Sequence, residues 1–174
     1  IDLMRWILKS DGSTVYATGR KWKLASMGVD TYDSVTAQVR FANDAVITFE
    51  MSWILPGSFE ANVNQGFRLI GEEGIIECDT QDRGVRSCIG KKGMQTHNMG
   101  FIQRGIDLDN RPYYTGYGVD SIIDFIRNIE AYRRGVSREA LRNHGAALGE
   151  DGLETTRIAT AIHRSLRSGQ VENV

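Results

Sequence analysis

Cysteine, proline and histidine are scarce in this chain of 174 residues: two Cys, two Pro and three His. No C-x-x-C pair exists, and His97, His144 and His163 stand singly, so the ligand spacing of a structural zinc site is excluded. Cys78 and Cys88, ten residues apart, read as reduced, semi-buried thiols on neighbouring strands rather than a disulfide, which fits a cytoplasmic compartment. An excess of one charge is also missing. The formal net charge is -1, so no global field steers the chain toward nucleic acid or an anionic membrane. Arginines are plentiful toward the C-terminal half but interleave with Asp and Glu, as on solvated helix faces. No apolar run approaches the roughly 20 residues that span a bilayer, and no signal peptide is visible. An initiator Met is lacking too. The chain opens on Ile1-Asp2-Leu3-Met4-Arg5-Trp6, inside a helical pattern with no capping Ser, Thr, Asp or Asn before it. It is therefore expected to be the downstream part of a longer protein.

What is present is globular. Hydrophobic residues make up 41% and charged residues 25%, proportions of a folded soluble domain, and the length suits one domain. After the opening helix, Asp11-Gly12 turns into a strand at 13–18, and a polar stretch with Trp22 covers 19–27. Strands of strong β propensity follow at 32–41 and 45–53, joined by a tight turn at Asn43-Asp44. In the second of these, Val46, Thr48, Glu50 and Ser52 alternate with Ile47, Phe49, Met51 and Trp53, the period of a sheet with two unlike faces. Further strands are predicted at 64–70, 74–78, 85–89 and 94–98, separated by Gly-containing turns. Residues 100–118 read as irregular. Helices at 119–133 and 151–168 close the chain, the first with Val119, Ile122, Ile126 and Ile129 as its stripe. The second buries Thr155, Ala159, Ile162 and Leu166 and ends on Gly169. The expected class is α+β: a largely antiparallel, open-faced sheet of six or seven strands with helices packed on one face. The patch of Ile47, Phe49, Met51 and Trp53 is either the helix-covered face or a surface for a second subunit. Dimerisation through the other face is the companion expectation.

Several segments together resemble the C-terminal domain of the Gfo/Idh/MocA oxidoreductases, the glucose-fructose oxidoreductase and inositol dehydrogenase group. Ile1-Asp2 through Trp6 is similar to the segment that follows the family's catalytic histidine, His-x-Ile-Asp. Ala42-Asn43-Asp44-Ala45 with Phe49 to Trp53 and Pro56 resembles its "F-x-N-G-A … F-x-x-S-W-x-x-P" hairpin, with Asp44 in place of Gly. Ile70-Gly71-Glu72-Glu73-Gly74-Ile75-Ile76 matches its "G-x-x-G-x-I" turn. Ala161-Ile162, Ser165, Gly169 and Val171 to Val174 supply the ending "A-I-x-x-S-x-x-x-G-x-x-V". The resemblance covers nearly the whole chain in order.

It implies a dinucleotide-binding domain upstream, carrying NAD or NADP and the catalytic lysine, and a sheet domain here that shapes a sugar or polyol pocket and forms a homodimer or tetramer. The fragment alone is then expected to be inactive. The family's histidine would fall two positions before Ile1. Asp2 remains, either accepting a substrate hydroxyl hydrogen bond or orienting that histidine, or else serving as an acid at a helix N-terminus. Asn62 and Asn64 share a predicted strand face and are candidates for bonding sugar hydroxyls, or are solvent-facing strand polars. Tyr113, Tyr114 and Tyr117, with Arg104 and Arg111, either line a sugar pocket or plug a core edge. His97, His144 and His163 read as surface or structural residues. Gly116-Tyr117-Gly118 imitates a dinucleotide fingerprint, but Arg111 to Tyr114 does not read as the buried strand that it needs, and Ser121 stands in the place of its last Gly. No cofactor, metal, nucleic acid or membrane partner is expected for the chain itself. The competing reading is a non-catalytic oligomerisation or carbohydrate-binding module.

Overall fold

A computed structural model describes residues 1–59, 63–79, 85–90, 93–97 and 102–174. The chain gathers into two compact units, Ile1–Ile54 with Ala147–Val174, and Leu55–Ala146.

The first unit begins with helix α1 (Asp2–Leu8), which stops at Lys9 in the left-handed conformation. Strand β1 (Gly12–Arg20), a one-turn helix α2 (Lys23–Ser26), β2 (Ser34–Phe41) and β3 (Val46–Ser52) follow. The β2–β3 turn places Asp44 at φ 64, the conformation that Gly adopts freely and Asp tolerates. That is why Asp can stand where the resembled hairpin has Gly. The Ala45 N–H donates to Asn43 Oδ1 and the Arg40 guanidinium to Asp44 Oδ1, so both turn side chains stabilise the reversal. The last elements of this unit are α5 (Gly149–Ser168) and β10 (Glu172–Asn173). The sheet order is β10-β1-β2-β3, and every pair is antiparallel.

Register sorts the side chains into two faces. Val15 opposes Val39, which opposes Ile47; Ala17 opposes Ala37, which opposes Phe49; Val35 opposes Met51. This face is the core side: Val15, Ala17, Ala37 and Val39 are buried, as are Ile158, Ala161 and Ile162 on α5, the helix packed on β1. The patch of Ile47, Phe49 and Met51 is thus continuous with the helix-covered face. Trp53 lies beyond the end of β3 and is exposed. The opposite face carries Thr14, Tyr16, Thr18, Thr36, Gln38, Arg40, Thr48 and Glu50.

The buried stripe of α5 is Ile158, Ala161, Ile162 and Ser165, one position off the expected one. Ile162 alone is shared. Ser165, not counted in the expected stripe, is fully buried with its hydroxyl doubly hydrogen-bonded, and Thr155, Ala159 and Leu166 are half-buried at the flanks. The N-terminus of α5 is closed by Asp151, whose carboxylate accepts the Leu148 N–H at 2.8 Å. Gly169, at φ 68, ends the helix as expected.

The second unit holds three antiparallel hairpins, β4 (Gly66–Gly71) with β5 (Gly74–Asp79), β6 (Val85–Cys88) with β7 (Met94–His97), and β8 (Ile102–Ile106) with β9 (Pro112–Gly116). Helices α3 (Val119–Arg133) and α4 (Arg138–Asn143) complete it. Two expectations are corrected. Among the described residues the strands form one four-stranded sheet and three separate pairs, not one sheet of six or seven. Residues 100–118, read as irregular, contain the β8–β9 hairpin. Its turn is organised by one side chain: Asp107 Oδ1 accepts the N–H groups of Asp109 and Arg111 at 2.9 and 2.8 Å. Gly105 lies opposite Tyr113, whose ring occupies the space of the missing Cβ. No residue of α3 is buried: of its stripe, Ile122, Ile126 and Ile129 are exposed and Val119 is half-buried. Cys78 and Cys88 are free thiols, the first half-buried and the second exposed, on strands of different hairpins.

Candidate functional site

Asp2 occupies the first turn of α1, where a carboxylate is favoured by the helix dipole. Three residues on, the Arg5 side chain is 10% exposed and lies among three carboxylates. Its NH1 donates to Asp2 Oδ1 at 3.3 Å and to the Asp151 carbonyl at 3.0 Å, and its Nε and NH2 hold Asp11 Oδ1 at 3.0 and 2.6 Å. The Asp151 carboxylate stands 4.0 Å away. Burial works to lower the Arg5 pKa, but the Asp11 hydrogen bond and the charges of Asp11, Asp151 and Asp2 outweigh it and hold the pKa above its usual value. One guanidinium therefore ties together α1, the turn into β1 and the start of α5. A rigid planar fork suits this better than an ammonium would.

Asp2 gains orientation from the same cluster. Its Oδ1 accepts from Arg5 and from the Thr155 hydroxyl on α5 at 3.3 Å. Oδ2 makes no hydrogen bond among the described residues, and the side chain is 59% exposed. The result is a carboxylate with one oxygen fixed and the other open, able to accept a hydrogen bond from a hydroxyl brought to it. The motif around Asp2 drew attention to that residue, but Arg5, Asp11, Asp151 and Thr155 were missed. The Asp2–Arg5 spacing of i,i+3 was a readable signal; the contributions of α5 come from about 150 residues away and had none.

The other expected site residues lie in the second unit. Arg104 and Tyr114 are direct cross-strand partners in β8–β9, whereas Tyr113 alternates to the opposite face, over Gly105. The tyrosines at 113 and 114 therefore do not line one surface. Tyr117 follows β9 and is exposed. Arg111 sits in the Asp107 turn, held there through its backbone N–H. Asn64 precedes β4, which starts at Gly66 rather than at 64, and Asn62 lies outside the described residues. Arg111 to Tyr114 was not expected to be a strand, yet Pro112–Gly116 forms β9. It is one strand of an exposed antiparallel pair, and the Gly116 N–H that a pyrophosphate would need is taken by the Asp120 carboxylate at 3.0 Å.

Asp33 is a second polar residue that the sequence did not single out. It is buried, and its two carboxylate oxygens accept the N–H groups of Lys23 and Leu24 at 2.8 Å each. The Leu24 hydrogen bond is the largest influence on its pKa; with those of Lys23 and Trp22 and the Arg20 charge, it outweighs burial and holds the carboxyl below the usual value of 3.8. A carboxyl depressed in the folded state stabilises the fold above its unfolded pKa, and that contribution is lost as pH falls through the folded value. Stability, read as the urea midpoint, is thus expected to drop below about pH 4 in the native chain. Asp33→Asn lowers the midpoint at pH 7 and flattens that acid limb. An unchanged acid limb in the variant would remove Asp33 from this role.

Among the described residues, no group of three or more His, Cys, Asp or Glu could hold a metal ion, and no helix is long and apolar enough to cross a membrane. Comparison with known proteins places these features. Residues 1–77 match the family model described as the GFO/IDH/MocA C-terminal domain. No curated protein matches by sequence. Among solved structures, the chain is similar to GenD2 from gentamicin A biosynthesis in complex with NAD, at 20% identity and TM-score 0.66, over 99% of this chain and 45% of that one. It is similar to myo-inositol 2-dehydrogenase from Lactobacillus plantarum at 17% identity and TM-score 0.65, over 100% and 45%. A third is scyllo-inositol dehydrogenase from Lactobacillus casei, with bound NAD(H) and scyllo-inositol, at 13% identity and TM-score 0.55, over 99% and 45%. The chain thus spans about 45% of the length of the solved structures it matches. Residues 1–77 are thus similar to the GFO/IDH/MocA C-terminal domain, and the chain along its length has the fold seen in these solved structures.

Proposed function

We propose that this chain is the C-terminal substrate-binding and dimerisation domain of an NAD(P)-dependent oxidoreductase. The parent interconverts a secondary alcohol and a ketone on a sugar, inositol or related polyol in the cytoplasm. The observation that carries the reading is the Asp2 carboxylate, fixed by Arg5 and Thr155 through Oδ1 with Oδ2 open, on the segment where the resemblance puts residues next to the catalytic histidine. The described residues do not fit a dinucleotide: their strands pair antiparallel, and Asp120 fills the Gly116-Tyr117-Gly118 start of α3. NAD or NADP accordingly belongs to a domain upstream, with the catalytic lysine and histidine. This domain's part is to receive the polyol. Asp2 accepts a hydroxyl hydrogen bond, while Asn62, Asn64, Arg104, Tyr113, Tyr114 and Tyr117 are the remaining candidates for substrate contact. Homodimer or tetramer assembly uses the sheet face away from α5, whose Thr, Gln, Tyr and Glu side chains offer hydrogen bonds across a two-fold axis.

The coding sequence upstream of Ile1 is the test. A strand-borne G-x-G-x-x-G, a Lys-Pro pair and an Asp-x-x-x-His ending two residues before Ile1 are expected there. The full-length parent should then oxidise myo-inositol or a sugar with NAD or NADP, and this chain alone should not. In that parent, Asp2→Asn is expected to lower kcat/KM by roughly 10- to 100-fold, the worth of a hydrogen bond to a charged group. A stop codon or an unrelated domain upstream, or turnover by this chain alone, refutes the reading and leaves the non-catalytic module.

A further inference from the structure

At the end of the first unit's sheet, where β1 leaves and β2 enters, Arg20, Trp22, Lys23, Asp33, Ser34 and Ile54 line a cavity of about 430 Å³. That volume lies within the range of small-molecule sites, roughly 300–1,000 Å³. The chain builds it deliberately. Asp33 donates its N–H to the Arg20 carbonyl at 2.8 Å, and its carboxylate ties down the start of α2, folding residues 21–32 back as a closed excursion. Trp22 is left 67% exposed at the cavity wall.

The charges around it are unevenly matched. Lys21 is neutralised by Asp30 at 2.7 Å and lies over the Tyr32 ring. Arg20 and Lys23, by contrast, have no ion-pair partner among the described residues. The one acid in the lining, Asp33, has both oxygens committed to backbone N–H groups; Arg20 is near enough to help lower its pKa but does not pair with it. Arg20 lies over the Trp22 ring, 4.7 Å from its centroid. A guanidinium held over an indole face still has N–H groups to offer an anion.

We propose that this cavity binds a small anion that carries a ring, with the carboxylate or phosphate held by Arg20 and Lys23 and the ring laid against the Trp22 indole. This site is separate from Asp2 and does not depend on the dehydrogenase reading. A neutral sugar would leave both cations unmatched, and a metal cation would be repelled by them.

The test is an NMR titration of the full chain with phenyl phosphate, reading the three indole N–H resonances. Trp6→Phe and Trp53→Phe variants identify that of Trp22. A saturable shift of the Trp22 resonance is expected, about three- to tenfold weaker in Arg20→Met and again in Lys23→Met. Binding should weaken as salt is raised from about 0.05 to about 0.5 M. Inorganic phosphate should bind at least about tenfold less tightly, for want of the ring, and neutral benzyl alcohol should give no saturable shift. Both substituted residues are on the surface, so circular dichroism should show an unchanged fold. No saturable Trp22 shift, a shift of Trp53 instead, or equal binding by the Arg20→Met/Lys23→Met double variant overturns the proposal.

Discussion

Ile158→Ala is expected to destabilise the first unit by about 2–5 kcal/mol, the usual range for an aliphatic side chain removed from a core. Ile158 is fully buried and is the first residue of the α5 stripe, packed against the start of β1 at Gly12. Its neighbours leave little freedom to close the hole. The position of β1 that Ile158 covers is a glycine, with no side chain that could swing in to fill the space. Gly12 marks how close the two layers come: a Cβ there would lie 2.9 Å from Ile158 Cγ1. A helix this near its sheet cannot settle further, so most of the lost volume persists as cavity and the cost falls in the upper part of the range. Urea unfolding followed by far-UV circular dichroism measures it, with Leu153→Ala, half exposed on the same helix, as the comparison. A loss under about 1 kcal/mol for Ile158→Ala would mean that α5 is not the lid of this core.

The parts of the fold that were legible in the sequence are those set by neighbours along the chain. Alternation in residues 46–53 gave β3 and its faces, Asn43-Asp44 gave the hairpin, and the stop at Gly169 gave the end of α5, because each depends on a few adjacent residues. Pairing between distant segments was not legible. The β8–β9 hairpin looked irregular because Asn110-Arg111-Pro112 and Gly105 are breakers by composition. Their roles, a turn knotted by Asp107 and a glycine covered by Tyr113, emerge only from cross-strand geometry. Strand count alone likewise says nothing about how strands divide among sheets. In the candidate site, Asp2 was found through a motif, whereas the α5 partners that orient it depend on tertiary packing. Asp33 escaped notice because a lone Asp in a polar loop is ordinarily solvated, and only its burial against the backbone N–H groups of Lys23 and Leu24 marks it as structural.

Ser165→Ala is the second substitution with a large expected cost, about 1–3 kcal/mol, for a reason unlike that of Ile158→Ala. The volume change is slight; the loss is of hydrogen bonds in a dry place. Ser165 is fully buried, and its Oγ accepts the Ala17 N–H at 2.9 Å while donating to the Gln170 carbonyl at 2.6 Å. Ala17 needs it because β10 pairs with β1 only at Thr14 and Val15, which leaves the edge of β1 open at the next inward N–H. The hydroxyl takes the place of the missing strand. Through Gln170 it also fixes the chain just after the Gly169 stop, from which β10 departs. This gives a physical content to the serine in the resembled C-terminal pattern: it ties the final helix, the strand edge and the last turn at one oxygen. Alanine at 165 strands a buried donor and a part-buried acceptor at once, whereas a surface serine on the same helix, Ser168, should tolerate alanine within about 0.5 kcal/mol. Amide exchange supplies the sharper measurement, since the Ala17 N–H should lose protection in Ser165→Ala beyond the change in global stability. Full retention of that protection would show that the Ala17 N–H is satisfied by something other than Ser165, and the hydroxyl would then have no part in closing the sheet.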